Sequence, residues 1–123
     1  MDEKSILIIE NEQQLLSSMK FVLASNRFNV FTANNGKHAL NLLSSSKEVS
    51  IDLIITDILM PELNGLEFIK EINKQNINIP IIAITAFGNK ELFTQLCILG
   101  CIDYIEKPFD KSTLLERVKN ILK

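Results

Sequence analysis

The sequence predicts an α/β fold built on a parallel sheet, and three observations predict it. Five short apolar runs alternate with segments of helical period along the 123 residues, the order that repeated βαβ units produce. The runs are continuous in Ile and Leu, as in Ile6-Leu7-Ile8-Ile9 and Ile81-Ile82-Ala83-Ile84, which marks strands covered on both faces rather than one. Glycine and asparagine fall between the runs, where helices must begin or end. With 46% hydrophobic residues, a chain of this length can bury one good core and is most simply a single domain.

The elements follow in order. A first strand is expected over 5–10, and Leu15, Met19, Val22 and Leu23 then recur at helical spacing. A second strand over 28–33 precedes Asn35-Gly36, which opens a helix with apolar positions at Ala39, Leu40, Leu42 and Leu43. Ser44-Ser45-Ser46 reads as the solvated end of that helix. The third strand, 52–57, stops at Ile58-Leu59-Met60-Pro61, a turn that cannot continue it. Asn64-Gly65 opens a third helix carrying Leu66, Ile69 and Ile72, and a fourth strand is expected over 79–84. In the fourth helix Leu92, Phe93, Leu96, Cys97, Ile98 and Leu99 cover more of the circumference than one buried stripe needs. Either some of them face solvent or a partner, or the helix is distorted and packs on two sides. Gly100 closes it, a fifth strand spans 102–106, and Asp110 is a candidate N-cap for a last helix bearing Leu114, Leu115, Val118, Ile121 and Leu122. Five βα units make a three-layer sandwich.

Charge and composition exclude several classes. The net charge of -2, with Lys and Arg scattered, offers no surface for nucleic acid or membrane. Met1-Asp2-Glu3-Lys4 is polar and the apolar run after it is far too short for a signal sequence or a span, so a soluble, cytoplasmic protein is expected. Cys97 and Cys101 have no neighbouring Cys or His to complete a metal set, and the only histidine is His38. Both cysteines read as small apolar residues in a reducing compartment.

The strand ends carry the chemistry. The first strand ends at Glu10, the third at Asp57, the fourth at Thr85, and the fifth at Lys107-Pro108. Each alone has an ordinary reading: an acid after a strand is often a cap or turn former, a threonine favours strands, and most lysines are simply solvated. Together they place two carboxylates, a hydroxyl and a cation at the carboxyl ends of a parallel sheet, where such sheets bind ligands. A carboxylate can attack phosphorus in line to form an acyl phosphate, provided the charge on the incoming phosphoryl oxygens is neutralised. Lys107 can supply a point charge and Thr85 a hydrogen bond. Mg²⁺ could supply the rest, held by Asp57, Glu10 and the backbone carbonyl of Leu59.

These residues resemble the response-regulator receiver domain of two-component signalling. The resemblance rests on Ile6 to Glu12, on Asp57-Ile58-Leu59-Met60-Pro61 with Asn64-Gly65, on Thr85-Ala86, and on Gly100 to Phe109, in order across nearly the whole chain. It implies a flavodoxin-like fold with strand order 2-1-3-4-5, in which Asp57 accepts a phosphoryl group from a sensor histidine kinase or phosphotransfer protein and later loses it to water. It also implies a cis Lys107-Pro108 peptide, and a switch in which Thr85 moves toward the phosphoryl group and Tyr104 rotates inward behind it. That motion would alter the face formed by the fourth helix, fifth strand and fifth helix, through which a homodimer is a reasonable expectation. Kinase specificity would lie on the first helix around Gln13, Gln14 and Ser17.

One departure bears on the metal. Receivers usually carry two adjacent acids after the first strand, and this chain has Glu10-Asn11, followed by Glu12. Asn11 brings a neutral carbonyl where a carboxylate is expected, which should weaken Mg²⁺ binding, by about 1–3 kcal/mol if the pocket is partly desolvated; Glu12 reads as a first-turn helix residue. Leu59 and Phe87 match the variable pair flanking the path of the attacking water, and both are apolar, so a long-lived acyl phosphate is expected. The main alternative is a degenerate receiver that serves as an interaction module without phosphate. A haloacid-dehalogenase-type phosphohydrolase would want a second acid where Leu59 stands, and a flavodoxin-type cofactor binder would want a phosphate loop where Glu10-Asn11-Glu12 stands. The chain may be read as a stand-alone receiver or as a fragment of a longer regulator or hybrid kinase.

Overall fold

The computed structural model describes residues 3–45, 50–59 and 64–123. The expected turn residues Met60 and Pro61, and Ser46, lie outside the described residues. Five strands, β1 (Ser5–Ile9), β2 (Asn29–Ala33), β3 (Leu53–Asp57), β4 (Ile81–Thr85) and β5 (Asp103–Glu106), alternate with α1 (Gln13–Ser25), α2 (Gly36–Ser45), α3 (Gly65–Lys74), α4 (Lys90–Ile98) and α5 (Lys111–Ile121). All neighbouring strands pair in parallel in the order β2-β1-β3-β4-β5, the flavodoxin-like order implied by the resemblance.

The core lies in two layers, one on each face of the sheet. On one face Leu7, Ile9, Ile54 and Ala83 pack with Ala39 of α2, Phe68, Ile69 and Ile72 of α3 and Leu96 of α4. On the other, Ile6, Ile8, Leu53, Ile55, Ile82 and Ile84 pack with Leu16, Met19 and Leu23 of α1 and Leu114 and Val118 of α5. The continuous apolar runs are explained by this double cover: β3 and β4 are buried at every residue. The edge strands β2 and β5 are not covered on both faces and expose part of their length.

The helix stripes differ in detail from the spacing read in the sequence. In α1 the buried positions are Leu16, Met19 and Leu23, whereas Leu15 and Val22 sit half-buried on its flanks. In α3 Phe68 joins Ile69 and Ile72 as the filling residue. Asn35 and Asn64 accept the N–H groups of His38 (2.8 Å) and Glu67 (3.0 Å), so both cap their helices as expected. Asp110 occupies the N-cap position of α5 by backbone conformation, but its side chain makes no capping bond. Gly100 closes α4 with φ +93°, and the N–H groups of Gly100 and Cys101 return to the carbonyls of Cys97 and Leu96, the paired bonds of a glycine-terminated helix. Only Leu96 of α4 is buried; Cys97 and Ile98 are exposed. The surplus apolar residues therefore face solvent rather than a second packed side, and Cys97 is not a core residue.

Two features set the rim on which the site stands. Asp57 pairs in register with Ile84, and Thr85 with Glu106, so β3, β4 and β5 end side by side. Ile58 then donates its N–H to the Ile84 carbonyl at 3.0 Å, and Lys107 donates to the Thr85 carbonyl at 2.8 Å. Gly65 starts α3 directly beneath this rim. A Cβ there would lie 2.5 Å from the Asp57 carbonyl oxygen and 2.7 Å from Ile58 Cα, so the start of α3 can lie this close to the end of β3 only because residue 65 has no side chain.

Candidate functional site

The four strand-end residues converge. Asp57 is almost wholly buried at the end of β3, with Oδ1 accepting the Leu59 N–H at 3.2 Å and Oδ2 accepting the Lys107 ammonium at 2.8 Å. Lys107 Nζ also lies 3.0 Å from Glu10 Oε1, so one cation bridges the two carboxylates. Glu10 is buried just past β1, where its other oxygen accepts the Glu12 N–H at 2.9 Å. Its Oε1 is a buried acceptor with ion-pair proximity to Lys107 but no hydrogen bond. Thr85 is fully buried, and its hydroxyl oxygen accepts the Phe87 N–H at 3.1 Å. The Lys107-Pro108 peptide is cis.

Burial pushes the Glu10 carboxyl above its ordinary value, the Asp57 charge adds to that, and the Glu12 N–H and Lys107 only partly oppose it. Burial also penalises the Lys107 ammonium, but the hydrogen bond to Asp57, then the Glu10 carboxylate, outweigh it and hold its pKa above the usual lysine value. The site is thus a compact cluster of two acids and one base, stable as long as the cation stays between them.

The remaining expected residues sit around this cluster without joining it. Asn11 is exposed. Glu12 is also exposed and is the N-cap position of α1 rather than a first-turn residue, with no capping bond from its carboxylate. Leu59 and Phe87 are 54% and 73% exposed, flanking the mouth of the pocket with apolar surface. A cleft of about 390 Å³ opens beside it between Glu12 and Leu15 of the α1 end and Ala86, Lys107, Pro108 and Phe109. Tyr104 stands on edge strand β5, 41% exposed, with its ring stacked on Phe93 of α4 at a centroid distance of 3.9 Å. Sequence reading placed Phe93 in an apolar helix but gave no signal of that partner. Arg117 went unnoticed as well; it binds both oxygens of Asp103 at 2.7 Å and the Tyr104 carbonyl at 3.4 Å, fastening β5 to α5.

For a divalent cation the donors are two buried carboxylates at the rim, bridged in this structure by the Lys107 ammonium. That fits Mg²⁺, which binds through one or two carboxylates and keeps several waters. Among the described residues no group of three or more His, Cys, Asp or Glu side chains is placed to hold a metal ion.

The family model for the response regulator receiver domain matches residues 6–119. The chain belongs to that family. Receiver domains are phosphoacceptors that work with histidine kinases or phosphotransfer proteins in two-component signalling, and they generally bind Mg²⁺ where they are phosphorylated. Among curated relatives, the response regulator SaeR of Staphylococcus aureus is 34% identical over 117 residues, which are 95% of this chain and 50% of that protein. The chain thus spans about half the length of the curated relatives it matches. Among solved structures, the Francisella response regulator 1452 receiver domain superposes with a TM-score of 0.89 at 29% identity, covering 97% of this chain and 96% of that one. A receiver domain protein from Clostridium thermocellum gives 0.86 at 28% identity, covering 97% and 94%. The receiver fold and the phosphorelay class are therefore common ground for this chain and its relatives. No helix among the described residues is long and apolar enough to cross a membrane.

Proposed function

We propose that this receiver accepts a phosphoryl group on Asp57, from the histidine of a sensor kinase or phosphotransfer protein, and that Thr85, Lys107 and Tyr104 convert that event into a change at the α4-β5-α5 face. The observation that carries the reading is the Lys107 ammonium lodged between the carboxylates of Asp57 and Glu10 at the carboxyl edge of the sheet. An Asp57 oxygen attacks phosphorus as the bond from phosphorus to the donor nitrogen breaks, and the donor leaves as imidazole. Lys107 exchanges its contact with the carboxylate for one with a phosphoryl oxygen. The Thr85 hydroxyl, which accepts from the Phe87 N–H, turns its hydrogen toward another. A bound Mg²⁺ supplies the remaining charge neutralisation, and Glu10, Asp57 and the Leu59 carbonyl would hold it, with Asn11 offering only a neutral oxygen.

Hydrolysis needs a water positioned in line behind the phosphoryl group. Leu59 and Phe87, exposed at the mouth, cannot hydrogen-bond such a water, so the acyl phosphate is long-lived, and a half-life of seconds in Mg²⁺ would contradict this. Intact-mass spectrometry after incubation with acetyl phosphate tests the whole reading. One phosphoryl adduct is expected with Mg²⁺, and none in Asp57→Asn or without the metal. A folded wild type that gains no adduct at high donor and high Mg²⁺ would mean that the domain signals without phosphate.

A further inference from the structure

A continuous run of contacts leads from the Thr85 hydroxyl to Tyr104, and its central member is a side chain with no role assigned so far. The Phe87 N–H donates to Thr85 Oγ1 at 3.1 Å, so the loop leaving β4 hangs on that hydroxyl. One residue further, Gly88 lies against the edge of the Phe93 ring. A Cβ at 88 would fall on Phe93 Cζ, and 2.7 Å from Cε1. The face of the same ring lies on Tyr104, with centroids 3.9 Å apart and planes 10° from parallel. Phe93 therefore touches the loop with its edge and Tyr104 with its face.

We propose that Phe93 is a positioning residue for the switch: its stack holds the Tyr104 phenol in the outward position, and its contact with Gly88 ties that stack to the loop suspended from Thr85. The inference rests on the reading of Thr85 and Tyr104 given above. When the Thr85 side chain moves toward a phosphoryl oxygen, Oγ1 draws away from the Phe87 N–H that it accepts in the resting state, and the loop carrying Gly88 is released. The Phe93 ring loses its edge support, and Tyr104 is free to leave the stack. In the resting state the stack acts against activation, because an inward Tyr104 must give up the ring face it covers.

The chain contains one tyrosine and no tryptophan, so tyrosine emission reports on Tyr104 alone. Titrating the protein with beryllofluoride in saturating Mg²⁺, a stable mimic of the phosphoryl group, should change that emission in the wild type. In Phe93→Leu, which keeps an apolar side chain on α4, the midpoint should fall about 2- to 10-fold, the range that an aromatic pair contributes. Gly88→Ala should lower it as well, since the new methyl displaces the Phe93 ring rather than backbone, and position 88 does not require a positive φ. The two effects should not add, because both act on one contact. Folded variants with an unchanged or raised midpoint would overturn the role of Phe93 while leaving the Tyr104 switch in place. Binding of the mimic, seen as thermal stabilisation, without any change in Tyr104 emission would overturn the switch reading and this inference together, as would no binding by any of the chains.

Discussion

At the scale of single residues the site is governed by one cation between two acids. Lys107 holds Asp57 and Glu10 at 2.8 and 3.0 Å, and the consequences for stability differ in sign for the two partners. Glu10, whose pKa is raised from 4.5, mainly by burial, keeps its proton to higher pH in the fold than in the unfolded chain. The fold therefore loses stability as pH rises from 4.5 through the raised value. Glu10→Gln removes that pH dependence, and urea unfolding should show a stability that no longer falls between acid and neutral pH. The Lys107 ammonium has its pKa raised from 10.5 despite burial, through Asp57 and then Glu10. Its stabilising contribution is complete below 10.5 and is lost as pH climbs through the raised value. Lys107→Met should cost about 3 kcal/mol at neutral pH, because it leaves two buried carboxylates facing each other. The same scale decides the metal. Asn11→Asp adds a carboxylate beside Glu10, and because position 11 is exposed calorimetric titration should find Mg²⁺ bound more tightly by about 1 kcal/mol.

At the scale of elements, what matters is how a turn delivers a side chain to the rim. β3 could not present Asp57 as it does without α3 starting immediately below, and only a glycine fits at the start of that helix. Gly65→Ala places a methyl against the Asp57 carbonyl and Ile58 Cα. It should lower the unfolding free energy by about 3 kcal/mol, the upper range for overpacking, and slow phosphorylation by acetyl phosphate even under conditions where the variant remains folded. Asn64-Gly65 was legible in the sequence as a helix start, since an N-cap followed by an open position has a compositional signature. The clash that makes the glycine obligatory was not legible, because it involves backbone eight residues upstream. Asp110 shows the reverse: the residue type suits a cap and the backbone adopts the conformation, but the carboxylate makes no bond.

At the scale of the whole molecule, one end of the sheet carries the chemistry and one side carries unsatisfied apolar surface. Phe87, Ile98, Ile102 and Tyr104 are all exposed large hydrophobic side chains in the stretch from the end of β4 to β5. Ile98 ends α4, Ile102 leads into β5 and Tyr104 lies on β5, whereas Phe87 sits in the loop before α4; apolar side chains left exposed around a helix end and its neighbouring strand favour association. Light scattering on the protein treated with acetyl phosphate and Mg²⁺ should show dimers that are scarce in the untreated protein and absent in Asp57→Asn. A monomer in both states would mean that this surface serves a different partner.

The sequence by itself determined the fold class, the strand order through its resemblance to receivers, and which four polar residues stand at the ends of the strands. The continuous apolar runs of β1, β3 and β4 mark strands buried on both faces, and polar groups at the ends of parallel strands meet at one rim of the sheet. It also determined the departure at Asn11, since a missing charge is visible wherever it lies. Only the tertiary structure decided that Lys107 bridges Asp57 and Glu10, and that Phe93 lies between Gly88 and Tyr104. Periodicity likewise placed Leu15 and Val22 beside Met19 and Leu23 in the α1 stripe, whereas packing against β1 and α5 buries Leu16 with Met19 and Leu23 and leaves Leu15 and Val22 half-buried. The physical reason is the same in each case. Local pattern fixes the direction in which a side chain leaves its own element, whereas its contacts depend on the angle and distance at which another element arrives.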